Sequence, residues 1–341
     1  YSVGTGCSNN STDCYLYLYP HSGYNSSYSP GDAIPPLDIY GFARSPAYNA
    51  SYFNPAITYE PWMNADGTLW PQANPSATRA DPRDPDTYGD SFETAYDVVY
   101  NLKANRSSTS EYFTFNWGMS IPNLAGTSTS YRRRNANNNG WSDNNWQTGA
   151  VSFNGARNVA FNYFPATFYL PADADAPPGY RTGNQFRPVI NNACGPGCNL
   201  RRYEIKPANY LTTQDYNAAI QNFANWFQYH RSRLLAMVGA MTHAMHDVNN
   251  MRVGYFTIND RVSVTMRDVA TERSALYDSF FRLQAGGLVG KGGGTPNRDA
   301  VAHLGEQFRR GGNDAPIKYA CQRNGGMLFT DGFTNNGTGP T

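Results

Sequence analysis

Gly286 to Asp331 is the stretch that most constrains what this 341-residue chain can fold into. A glycine run closes on Thr295-Pro296. A helix-like segment follows, and then the apolar run Met327-Leu328-Phe329-Thr330 stops at Asp331-Gly332. Apolar and β-branched residues without alternation, set between Gly325-Gly326 and Asp-Gly, read as a short strand covered on both faces. Ligands of open parallel sheets gather beyond the carboxyl ends of such strands. Asp331 falls at that edge, where the Thr295 hydroxyl can meet it. A hydroxyl and a carboxylate beside glycine-rich backbone are hard oxygen ligands, suited to Mg²⁺ or Ca²⁺.

The residues before this stretch extend the same expectation. Ile220, Phe223, Ala224, Phe227, Leu234, Leu235, Val238, Met241 and Met245 keep helical spacing, with Thr212 or Thr213 as the cap. Unbroken from Tyr216 to His246, this helix would run about 45 Å, with Gly239 the place for a kink. Strands are expected over Arg252–Ile258 and Val262–Met266, and a helix from Ser274 to Gln284. A further helix, from Pro296 to Arg310, should bury Ala300, Val301, Leu304 and Phe308. Helices alternating with buried strands over residues 201–341 predict an α/β layered domain. Residues 1–200 differ in character. They are rich in Tyr, Asn, Pro and turn signals, with short strands expected at Tyr15–Tyr19, Tyr112–Trp117 and between Val151 and Leu170.

With 27 basic and 26 acidic residues, the chain offers no broad field to draw nucleic acid or anionic lipid. The basic run Tyr131-Arg132-Arg133-Arg134 before an Asn-rich segment reads as a solvated turn. Leu234 to Met245, the longest apolar run, is too short to span a bilayer. There is no initiator methionine or signal peptide, so a processed or truncated start is expected. Cys7/Cys14 and Cys194/Cys198 are close in sequence. An oxidising compartment would bridge them locally and leave Cys321 unpaired or paired outside the chain, whereas their separation makes a zinc site weak. His243 and His246 share a predicted helix face but lack further ligands. The glycine run contains Lys291 without a following Gly-Lys-Ser/Thr, which argues against a nucleotide loop. No nucleophile–base pair or paired carboxylates stand out, so no enzymatic activity is expected.

Gly293-Gly294-Thr295 before a helix, with Thr330-Asp331-Gly332 about thirty-five residues on, resembles the von Willebrand factor A domain, a Rossmann-type fold. In that family these positions supply part of a metal-ion-dependent adhesion site, and a D-x-S-x-S motif supplies the rest. No D-x-S-x-S occurs here; Asp278-Ser279-Phe280-Phe281 is the nearest fragment. Longer stretches are similar to the PilY-type (PilC-like) tip proteins of bacterial type IV pili. These stretches are Tyr59-Glu60-Pro61-Trp62, Tyr163-Phe164-Pro165-Ala166-Thr167-Phe168-Tyr169, Ala224 through Leu234, Arg252-Val253-Gly254-Tyr255, Gly293 through Arg298, and Cys321 through Gly332.

The resemblance implies an A-type domain, incomplete at both ends, over residues 201–341, with residues 1–200 as an insertion. It implies export through the periplasm to the bacterial surface, at the pilus tip. There the protein would act in adhesion to a host-cell or surface ligand, in twitching motility, and in priming pilus assembly with minor pilins. Mg²⁺ or Ca²⁺ would be held by Thr295, Asp331 and ligands upstream. Two other readings are a tip scaffold without a ligand of its own and a carbohydrate-binding module using Trp62, Trp70, Trp141 and Trp146.

Overall fold

A computed structural model describes Tyr19 and residues 33–107, 111–124, 126–283 and 295–330. Cys7, Cys14, Lys291, Asp331 and the Tyr15–Leu18 part of the expected first strand lie outside the described residues.

The strands are β1 (Thr78–Arg79), β2 (Val99–Tyr100), β3 (Phe113–Phe115), β4 (Ser120–Ile121), β5 (Ser130–Arg133), β6 (Val151–Ser152), β7 (Arg157–Asn162), β8 (Thr167–Pro171), β9 (Val189–Asn191), β10 (Asn199–Glu204), β11 (Arg252–Val253) and β12 (Arg267–Asp268). The helices are α1 (Pro85–Tyr88), α2 (Glu93–Tyr96), α3 (Thr213–Tyr229), α4 (Arg233–Ala244), α5 (Val269–Phe281) and α6 (Asn297–Arg309). The strands form small sheets ordered β1-β2, β8-β10-β9, β11-β12, β3-β7-β5 and β4-β6. All of these pairings are antiparallel.

This corrects the expected α/β fold. The von Willebrand A-like, Rossmann-type layering predicted for residues 201–341 is not what these residues build. Of the run Arg252–Ile258 only Arg252 and Val253 form a strand, antiparallel to β12, and Thr257 makes an isolated bridge to Asp260. A methyl group at Gly254 would stand 2.2 Å from Val264 Cγ1, so the missing side chain lets the returning loop close onto the strand end. Met327-Leu328-Phe329 joins no strand and is 77%, 40% and 79% exposed. An apolar run becomes a buried strand only where neighbours supply a ladder and cover, and the described residues supply neither here.

The chain divides into two compact units, one of Tyr1–Pro61 and Pro71–Ala236, the other of Trp62–Trp70 and Met237–Thr341. In unit 1 the β3-β7-β5 sheet buries Phe113, Phe115, Tyr131, Val159 and Phe161 with Leu37, Ile121, Leu124, Phe153 and Tyr163. A second aromatic cluster surrounds α3. Thr212 caps that helix, its side chain accepting from the Asp215 amide at 3.1 Å. Phe53 lies 4.9 Å from Phe223 and 5.4 Å from Phe168, and Tyr52 lies 4.7 Å from Trp226, ring centre to ring centre. The helix ends at Tyr229 instead of running to His246. Arg231, only 6% exposed, donates to the Phe227 and Ala80 carbonyls at 2.8 Å each, which fixes the chain in a turn before α4 begins.

In unit 2, Trp62, Trp70 and Phe281 pack at 4.9–5.8 Å between ring centres. Tyr277 donates to the Thr242 carbonyl at 2.6 Å. Arg273 donates to the carbonyls of Met245, His246 and Val248, satisfying groups that the end of α4 leaves over. The α6 face is less buried than its spacing predicts. Ala300 and Gln307 are buried, Val301 is 53% exposed, and Leu304 and Phe308 are half-buried.

Candidate functional site

Thr295, the described half of the expected cation site, is half-buried just before α6, with its carbonyl accepting from the Asn297 amide at 2.8 Å. Among the described residues no group of three His, Cys, Asp or Glu side chains could hold a metal ion. Asp331, the expected partner of Thr295, lies outside the described residues, and the Thr295 hydroxyl by itself is a single hard oxygen donor. His243 and His246 share a helix end, where the His246 amide donates to the His243 carbonyl at 3.2 Å, without a third ligand.

Unit 2 also holds a pocket of about 270 Å³ between the Tyr255–Arg267 loop and α5, and Thr295 is not among the residues that line it. The loop is held from both sides. Tyr255 donates to the Ser279 carbonyl at 2.8 Å, and the Val264 amide donates to Gln307 Oε1 at 3.0 Å. Arg310 donates to the Val264 carbonyl at 2.9 Å. The pocket presents the hydroxyls of Thr257, Ser263 and Thr265, the nearly buried Asp260, and Arg267 and Arg282. Burial pushes the Tyr255 phenol up, so it stays protonated as a donor, while its bond to Ser279 works the other way. At this size the pocket suits a single polar side chain or sugar-sized group more than an extended ligand.

Cys194 and Cys198 form a disulfide, with Cα atoms 5.5 Å apart and clamping the Gly-Pro-Gly turn between them. Cys321 is exposed as a free thiol. Trp62, one of the candidate sugar-stacking aromatics, is fully buried; Trp117, not among them, is 79% exposed.

The polar side chains of α3 belong to no motif that marks them in sequence. Asn225, 5% exposed, donates to the Tyr59 carbonyl at 2.9 Å and to Gln72 Oε1 at 2.7 Å, and accepts from the Ala73 amide at 3.1 Å. Asn222 accepts from the Tyr59 amide at 2.7 Å and donates to the Ile57 carbonyl at 2.7 Å. Gln228 accepts from the Arg79 amide at 3.1 Å, and Trp226 Nε1 donates to the Ser51 carbonyl at 3.2 Å. Residues 51–80 contain little regular structure, so their backbone groups need other partners, and α3 supplies them. The available signal is a row of uncharged amides at 222, 225 and 228, beside the apolar stripe. The tyrosine-rich stretches meet the same helix. Tyr52 donates to the Thr167 carbonyl at 2.6 Å, and Tyr229 to the Pro71 carbonyl at 2.6 Å. Of the segments quoted for the pilus resemblance, Tyr59 is thus bonded directly to Asn225, and Phe168 of another meets Phe53, which also packs against Tyr59 and Phe223.

Comparison with known proteins finds local similarity. The chain is 28% identical over 169 residues to the type IV pilus biogenesis factor PilY1 of Pseudomonas aeruginosa strain PAK, covering 42% of this chain and 13% of that protein. To PilY1 of strain PAO1 it is 26% identical over 160 residues, covering 41% of this chain and 13% of the relative. The similarity therefore spans about an eighth of the curated relatives' length, and it supports a relationship to PilY-type pilus proteins over part of the chain. No family profile matches the chain, and no solved structure matches it. Among the described residues no helix is long and apolar enough to cross a membrane.

Proposed function

We propose that this chain is a module of a type IV pilus tip protein, acting in adhesion and in pilus assembly through contacts with minor pilins and with a surface or host-cell ligand. The observation that carries the reading is the PilY1 similarity over two fifths of the chain. The unit 1 core supports it as well. Its recognisable segments lie at the junction of α3 with the loops it orders, as expected of a rigid platform that displays exposed loops to partners.

The test is made in the source bacterium with the gene at full length. Deletion of the α3-centred unit should reduce surface pili, counted by electron microscopy, and attachment to cells. Purified chain should capture minor pilins from a defined mixture. Piliation and attachment equal to wild type, with no minor pilin captured, would overturn the reading.

A further inference from the structure

The outer face of the β3-β7-β5 sheet carries a side-chain arrangement that neither the pocket nor the pilus reading uses. Strand geometry sends Tyr131 and Arg133 to one face of β5 and Arg132 to the other. Arg134, next in line, lies on the same face as Arg132. Trp141, bridged to Arg134 across the hairpin, has the Arg132 guanidinium carbon 4.6 Å and that of Arg134 4.7 Å from its ring centre. The hairpin loop is Asn-rich. Asn138 takes φ 55°, a left-handed conformation that asparagine tolerates, and the Asn135 amide donates to the Gly140 carbonyl at 2.9 Å.

Charge in this cluster is unbalanced. Asp143, 6% exposed, is held by Arg133 through paired contacts of 2.6–3.1 Å and also accepts from the Arg133 amide at 2.7 Å. Arg132 donates from Nε to the Asp143 carbonyl at 2.8 Å, and Arg134 donates to the Asn138 carbonyl at 3.1 Å. Among the described residues neither has a carboxylate within ion-pair distance, and the buried Arg134 Nε donates to none of their groups. Two guanidiniums thus flank a half-buried indole, with terminal Nη hydrogens that these bonds do not use.

We propose that this face binds an acidic saccharide, a sugar unit bearing a carboxylate or sulfate. The planar fork of each guanidinium matches such an anion with two parallel hydrogen bonds. The exposed amides of Asn137, Asn139, Asn144 and Asn145 can both donate and accept, as sugar hydroxyls require. A long polyanion such as nucleic acid fits less well, because it draws on many cations and a broad field, and the chain's net charge is only +1. The proposal supplies a ligand class for the adhesive reading but stands on this geometry alone. It is tested on purified chain, so its failure leaves the pilus test untouched.

Binding of oligogalacturonate, heparin-derived oligosaccharide and neutral dextran fragments is measured by titration calorimetry with tryptophan fluorescence. Acidic sugars should bind, dextran should not, and EDTA should leave affinity unchanged. Carboxylate and sulfate arms separate the two anion sources. Arg132→Gln with Arg134→Gln should weaken binding roughly tenfold or more, since each contact to an ionised group contributes on that scale. Lys103→Gln, which removes one exposed charge elsewhere in the unit, should leave it unchanged. If the double variant loses its fold by circular dichroism, Arg132→Lys and Arg134→Lys carry the test, with charge kept, the fork removed and weaker binding expected. Equal binding by wild type and a folded double or lysine variant, no binding of either acidic sugar, or binding abolished by EDTA would overturn the proposal.

Discussion

The two units close their cores to different degrees. In α3 of unit 1, nine of seventeen side chains are buried, among them the amide-bearing Asn225 and Gln228 and the indole of Trp226. In α6 of unit 2, two of thirteen are buried. Unit 2 also leaves Met251, Val301, Ile317, Tyr319, Met327 and Phe329 more than two-fifths exposed, although it is the smaller unit. Apolar content therefore does not decide closure. Unit 1 is tyrosine-rich and irregular, yet it is tied together because one helix offers both an apolar face and hydrogen-bonding partners to the backbone passing over it. Unit 2 has good helices and apolar runs, but among the described residues its one sheet is the two-residue β11-β12 pair, too short to cover them.

Breaking the unit 1 core should give the largest effect. Trp226→Ala removes a 1%-exposed indole and its bond to Ser51, and should cost about 3–5 kcal/mol in urea unfolding of unit 1. Asn225→Leu leaves the Ala73 amide and the Tyr59 carbonyl without their side-chain partner. It should cost about 1–3 kcal/mol, although leucine is the more apolar residue. An equal loss from a matched substitution in α6 would erase the contrast between the units.

Alkaline titration should register unit 1 most strongly, although burial also raises Tyr255 and Tyr277 of unit 2. Burial pushes the Tyr229 phenol up to about 12, with a bond to Gln228 working the other way. Burial also raises Tyr52, Tyr163 and Tyr169 in the same unit. The folded state keeps these protons more tightly than the unfolded chain. Their contribution is complete below about pH 10 and is lost as the pH rises from 10 towards 12. Circular dichroism should show unit 1 destabilised in that window, and Tyr229→Phe should lessen the pH dependence. A pH-independent stability between 10 and 12 would contradict the burial of these phenols.

Smaller effects sharpen the comparison. Tyr100→Phe should be neutral or stabilising by less than about 1 kcal/mol, because that buried hydroxyl has no hydrogen-bond partner among the described residues. Val301→Ala should stay within about 0.5 kcal/mol by thermal unfolding, since its side chain is 53% exposed.

What could be read in sequence follows from how local each signal is. The α3 stripe and its Thr212 cap, and the β7 and β8 segments between Val151 and Leu170, are visible because periodicity and capping act within a few residues. The end of α3 at Tyr229 was not, since it depends on Arg231 reaching back to Ala80, far away in sequence. The buried strand expected at Met327–Thr330 failed for a related reason, as four residues say nothing of the neighbours that must pair with them. Thr295 stands one residue before Pro296, the N-cap of α6, and the amides of α3 look like a solvated edge until the loops they hold are seen. Arg132 and Arg134 read as a solvated turn until the hairpin sets Trp141 against both.

Hydrogen–deuterium exchange resolved to single amides tests the role of α3 most directly. The amides of Tyr59, Ala73 and Arg79, which donate to Asn222, Asn225 and Gln228, should be protected nearly as well as the centre of α3. The Ala73 amide should lose that protection first in Asn225→Leu. Exchange of all three at the rate of exposed loop amides in the wild-type chain would contradict it.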